Sequence, residues 1–301
     1  VSGLVSNVRD HPPFLSAHRP DLDVEARDRW ARAIADGDSA MVRGSFDLAR
    51  RHYEVAFALD STHALGLFKF AGALLKTADT AEARRRFLAA KDHDLLRFRA
   101  SEDLMARLRL LTRETATPLA PVDSAFESRS PGRLIGRELM MEHLHPTIQG
   151  YALMAETFAT TMRPHGLVFE RDRWHSAPEV PANLVLHNAA VSRFDTLAGV
   201  IRTELLTHRW PFVRETLPFT YRPKDAVEEI VFRYVQGRVA WSEARYELAE
   251  EYARVGRFED ARRECRAVVA VIPHSYHPYL RIGDYYSREG KRREALQAYE
   301  R

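Results

Sequence analysis

The sequence predicts a chain of mixed class, an α/β portion joined to all-α helical repeats, and three observations carry that prediction. A 34-residue period of small and aromatic residues runs through 30–97 and returns from Ser242 to the last residue. The opening "VSGLVSNV" has the β-branched, alternating character of a strand. Residues 132–162 join a Glu-x-x-His-Pro loop to an amphipathic helix.

Composition bounds the reading. The chain has 301 residues, 45% hydrophobic and 29% charged, enough for two soluble domains with a sizeable core. A net charge of +3 with the signs interspersed does not point to nucleic acid, and no nucleic-acid-binding motif is present. The single cysteine, Cys265, excludes an intrachain disulfide and a thiolate metal cluster. No apolar run approaches the roughly 18 residues that span a bilayer, and no signal peptide opens the chain. It starts without Met in a strand pattern and ends in a helical pattern with no stop signal, so it reads as a fragment of a longer protein.

The first element is the strand and loop "LVSNVRDHPPF" at 4–14. Two helical hairpins follow, 30–63 and 64–97. Gly44 falls at the first turn, with Ala49, Tyr53 and Ala56 facing the partner helix; Ala83, Phe87 and Ala90 take those places in the second unit, where Ala78 stands in for Gly. These are the spacings of a tetratricopeptide repeat, with small residues where two helices cross and aromatics filling between. Gly37-Asp38-Ser39 matches the opening letters of a serine-esterase nucleophile motif. That nucleophile needs a sharp strand-to-helix turn, whereas "ARDRWARAIADGDSAMV" has only helical spacing, so Ser39 reads as a helix residue.

Further on, "APVDSAF" (120–126) reads as a strand with Asp123 at its end. In 132–162, Pro146 stands near the start of the helix, where its missing N–H costs nothing. Glu142 lies three residues before His145, a spacing that can bring the carboxylate to the imidazole and hold its tautomer. General-base help of that kind is worth roughly 10²–10⁴ in rate. His143 could join Glu142 and His145 on a metal, but three neighbouring groups seldom wrap one tetrahedral ion without a distant fourth ligand, so no metal is assigned. Arg97 and Arg99 read as solvated or salt-bridged rather than anion-binding. Residues 164–241 mix proline-punctuated loops with short helices. Beyond them, Leu248, Ala249, Tyr252 and Gly256 recur 34 residues on as Ile282, Gly283, Tyr286 and Gly290.

Glu142-x-x-His145-Pro146 with Gly150, preceded by "KDHDLLRFRASEDL" (91–104) and "APVDSAF", resembles the last sequence block of the SGNH hydrolases, also called GDSL-like esterases and lipases. Glu142 stands where that family has Asp. The resemblance extends to a bacterial branch with tetratricopeptide repeats both inserted in and following the hydrolase domain. It implies a three-layer α/β domain with a parallel sheet and a site at the carboxyl ends of the strands. That partial domain would span 1–20 and 96–163. A TPR-like helical pair at 21–95 would be inserted in it, a helical linker would run over 164–241, and truncated repeats over 242–301. His145 would be general base and Glu142 its orienting acid, acting on an acyl-ester substrate without a cofactor. The nucleophilic Ser and the oxyanion Asn of the family precede the region matching Val1; Asn7 is not given that role. The full-length parent would be membrane-anchored and extracytoplasmic. The alternative is a non-catalytic TPR scaffold binding protein partners through its concave face.

Overall fold

Asp23 starts the first helix: its carboxylate accepts from the Ala26 N–H at 2.7 Å, satisfying one orphan donor of the first turn. Helix α1 (Val24–Val42) then buries Trp30, Ala33, Ile34, Gly37 and Ala40 at helical spacing, and α2 (Phe46–Leu59) returns Ala49, Tyr53 and Ala56. Gly44 turns the chain between them at φ 72°. Helices α3 (Ala64–Lys76) and α4 (Thr80–Asp92) repeat the hairpin. At its turn Ala78 holds φ 64°, a left-handed conformation that costs a residue with a Cβ about 1–2 kcal/mol.

The structure, a computed structural model, describes residues 1–175 and 191–301. They form two compact units, one on either side of the gap. The first continues with α5 (Glu102–Glu114), α6 (Val122–Arg129), a 3-10 turn at Pro131–Arg133, α7 (Ile148–His165) and the short α8 (Arg171–His175). The second contains α9 (Arg193–Thr207), α10 (Ala226–Val235), α11 (Trp241–Arg254), α12 (Phe258–Val271), α13 (His277–Arg288) and α14 (Arg292–Tyr299). Residues 176–190, part of the linker expected over 164–241, lie outside the described residues.

This architecture overturns the α/β expectation. Among the described residues there is no strand and no sheet; extended pairing is confined to single bridges, Ser2 with Ala120 and Met140 with Pro146. The opening segment does run extended, and Gly3 and Asn7 donate to the carbonyls of Ala120 and His143 at 2.9 and 3.0 Å. It finds no neighbouring strand because "APVDSAF" is helical from Val122. Only one residue of that stretch is β-branched, and its two large apolar side chains, Val122 and Phe126, are four apart. They bury one face of α6 beside Met140 and Leu139. Asp123, expected at a strand end, sits in the first turn of α6 and pairs with Arg109. A parallel sheet needs near-continuous apolar strands covered on both faces, and these residues supply none.

The helical pair α1–α4 is seated on what flanks it. Val8 and Leu134 join the core built by Trp30, Phe70, Leu74 and Phe87, while Arg84 reaches Glu127 at 2.5 Å. Where the chain leaves for α1 and returns from α4, a buried ion pair closes the base. Arg99 meets Asp94 at 3.2 Å, both side chains about 2% exposed. The guanidinium also donates to the carbonyls of Asn7 and His11, and Asp94 accepts from the N–H groups of Phe14, Leu15 and Leu96.

In the second unit α9 and α10 share one core with the two hairpins α11–α12 and α13–α14, through Phe194, Ile201, Val231, Leu248 and Tyr285 among others. Arg245 is 2% exposed and bonds Glu264, Ser192 and Asp195, stacking on Phe194 at 4.3 Å. Ser192 and Asp195 are the capping box of α9, so one buried cation ties a helix cap to α11 and α12. Burial pushes the Glu264 carboxyl above the usual range despite the neighbouring guanidinium.

One spacing recurs in the four repeat hairpins, and in two of them it sets a glycine against a tyrosine. Sixteen residues separate the small residue of the first helix from its counterpart in the second: Gly37 and Tyr53, Ala71 and Phe87, Ala249 and Cys265, Gly283 and Tyr299. Both tyrosines lie so close that a Cβ on the glycine would meet the ring, at 2.5 Å from Tyr53 and 2.2 Å from Tyr299. Each phenol then donates to the aspartate that follows the glycine, Asp38 at 2.7 Å and Asp284 at 2.8 Å. Gly37-Asp38 is thus a packing motif, and Ser39 is an exposed helix residue beside it. Gly37→Ala is expected to overpack this crossing and destabilise the first unit by about 1–3 kcal/mol. Denaturant melts check it, and an unchanged midpoint contradicts the close crossing.

Candidate functional site

Glu142 lies in a short loop pinched shut at its base. Met140 bridges Pro146, and the Met141 N–H donates to the His145 carbonyl at 2.7 Å. Thr147 caps α7 by accepting from the Gly150 N–H at 3.1 Å. Gly150 lets the helix approach, since a Cβ there would sit 2.4 Å from the Leu139 carbonyl oxygen. A carboxylate inside so tight a loop finds successive backbone donors. Oε2 accepts from the N–H groups of His143 and Leu144 at 2.6 and 3.2 Å, and Oε1 from that of His145 at 2.8 Å.

Both imidazoles turn Nδ1 to the same carboxylate, His145 on Oε1 and His143 on Oε2. An ionised carboxylate only accepts, so the proton of the His145 contact sits on Nδ1 and leaves Nε2 as the basic nitrogen. Burial alone would raise the Glu142 carboxyl. The His143 contact, the His145 N–H and the His145 ring overcome that and hold it down at about 2. The two rings differ in access. Of the His145 side chain 64% is open, against 9% for His143. The expected carboxylate and imidazole therefore meet, with the His145 side chain largely open and its second ring nitrogen not engaged by the carboxylate.

His143 packs among rings from other segments, with centroids 5.0 Å from Phe14, 5.5 Å from His11 and 5.9 Å from Phe98. Burial, then Arg99 and His143, pull the His11 imidazole down to about 4. Arg99 is committed to Asp94 and three carbonyls, so it is no anion site. The role of these flanking aromatics was not legible in the sequence, because Phe14 and Phe98 are 84 residues apart.

A second candidate surface lies in the second unit, an open groove of about 740 Å³ along α11 and α13, with Ile230 of α10 beside it. Glu250 accepts from the Tyr285 hydroxyl at 2.8 Å and from Arg281 at 3.1 Å, and the Arg281 guanidinium lies 4.7 Å from the centroid of the Tyr246 ring. The sequence did carry a signal for it. Glu243, Glu247 and Glu250 recur at helical spacing opposite the apolar stripe of α11, the placing of an exposed face.

No family model matches the chain, and no curated protein matches it. Among solved structures it aligns with one described as the crystal structure of MamA protein, at 12% identity over 91% of this chain and 89% of that one, with a TM-score of 0.21. A superposition that loose defines no shared arrangement, so the repeat assignment rests on the hairpins themselves. The hydrolase, esterase and SGNH assignment is withdrawn with the sheet that it required. Its site was to lie at the carboxyl ends of parallel strands, and the described residues form none.

Because the Glu142 carboxyl is depressed in the fold, its stabilising effect is complete above the ordinary value of 4.5 and fades as pH falls toward about 2. Glu142→Gln is expected to cost about 3 kcal/mol at neutral pH. The gap from the unsubstituted chain should close over that acid window in denaturant melts, and a gap independent of pH contradicts the ionic account.

Proposed function

We propose that this chain is a helical-repeat scaffold that binds a protein partner along the α11–α13 groove. The observation that carries the reading is the groove's lining. Tyr246, Arg281 and Glu250 stand on adjacent first helices of two repeats, and they supply an aromatic face, a fork of donors and a carboxylate in one open slot. Tyr and Arg are the residues that dominate binding energy at protein interfaces, and stacked helical hairpins present such grooves as extended binding surfaces. Panning a displayed random-peptide library against the purified chain tests it. Selected peptides should lose at least tenfold in affinity for Tyr246→Ala and Arg281→Ala variants that melt like the unsubstituted chain. No enrichment, or peptides indifferent to both substitutions, counts against the groove.

A second reading, favoured by the geometry at 142–145, is that Glu142 and His145 act as a proton-transfer pair on a group brought to the exposed imidazole. The pair needs no cofactor to move a proton. Diethylpyrocarbonate acylates the basic nitrogen of neutral imidazoles. His145 should react several-fold faster in the native chain than in Glu142→Gln, as judged by mass spectrometry of the modified peptide, and equal rates would sink the pair.

A further inference from the structure

We propose that His143 is a positioning residue: it pins Oε2 of Glu142 so that Oε1 faces the Nδ1 of His145. The proposal rests on the reading of Glu142 and His145 as a proton-transfer pair, and it adds a third, buried group that touches no substrate.

Three backbone N–H groups already hold Glu142, but all three belong to the loop that carries it. They order the carboxylate relative to the loop and leave the loop's own aim to other contacts. His143 supplies one. Its ring is buried, and the rings around it come from two other stretches of chain: His11 and Phe14 from one, Phe98 from the other. Those stretches are locked to each other by Arg99, whose guanidinium takes the carbonyls of Asn7, His11 and Pro12 together with Asp94. The Asn7 N–H in turn donates to the His143 carbonyl at 3.0 Å. A rigid frame thus holds the His143 ring, the ring meets Oε2, and the carboxylate cannot swing without breaking that contact. The titratable groups meeting this ring are Glu142 and His11, and Arg99 acts on His11 beside it. One carboxylate with an imidazole on each oxygen divides the work: the buried ring orients, and the open ring exchanges protons.

The test reads the tautomer of His145 directly, by long-range ¹⁵N–¹H correlation on the whole chain labelled at histidine, at a pH where the rings are neutral. Unsubstituted protein should show the Nδ1–H form. His143→Phe keeps an aromatic ring in the frame but has no nitrogen, and should convert His145 to a mixture of both tautomers while melting nearly as before. His143→Gln returns an N–H donor and should restore the Nδ1–H form. An unchanged His145 signal in folded His143→Phe overturns the proposal. A His143→Gln variant that fails to restore the signal also overturns it, whether or not His143→Phe folds. Glu142→Ala, which removes the acceptor, separates the two levels. If it leaves the tautomer untouched, the proton-transfer pair itself is wrong. If it shifts the tautomer and folded His143→Phe does not, only the role given to His143 falls.

Discussion

The ion pair between Arg99 and Asp94 is the constraint on which the first unit depends. Two charges that leave water together cost several kcal/mol each, and their attraction repays this only when every remaining donor and acceptor is also satisfied. Here they are largely satisfied, by three carbonyls on the arginine and three N–H groups on the aspartate. The segments so joined are the ones from which the α1–α4 pair departs and to which it returns. The pair therefore behaves as a rigid block on a closed base. Removing either charge would strand the other, a loss of about 3–5 kcal/mol, and would loosen the helical block and the aromatic frame of the 140–146 loop together.

That frame shows how a helical protein can hold a carboxylate against an imidazole without a sheet. The loop needs its aim from outside, and it takes it from buried aromatic rings whose own positions the arginine has set. The second unit uses the same device for a different end. Arg245 gathers Glu264 and the capping box of α9 into one buried cluster, and the repeats are held in register with the helices that precede them. In both units the buried cation joins segments far apart in sequence, which apolar packing alone does less specifically because it lacks direction.

The pairing of Glu142 with His145 was legible because it is local: three residues, a following proline and a glycine set the loop whatever lies around it. The third partner was less so. His143 stood in view as a possible metal ligand, but its burial depends on Phe14 and Phe98, each distant in the chain. The strand at 120–126 failed for the opposite reason. Its flanking pattern suggested a sheet, yet the residues between Pro121 and Ser130 have the spacing of one buried helical face, and local spacing prevailed where no neighbouring strand was at hand.

Sequence alone determined the helical hairpins. A 34-residue period, a left-handed residue in the turns and the sixteen-residue spacing of the crossing positions are rules of contact within one hairpin, so they are written in nearby residues. Tertiary structure decided whether the extended opening would become a strand and which ring would hold Glu142. Both depend on partners remote in the chain. A backbone edge becomes a sheet only if another strand satisfies it, and a side chain becomes an anchor only when distant residues shut out the water around it.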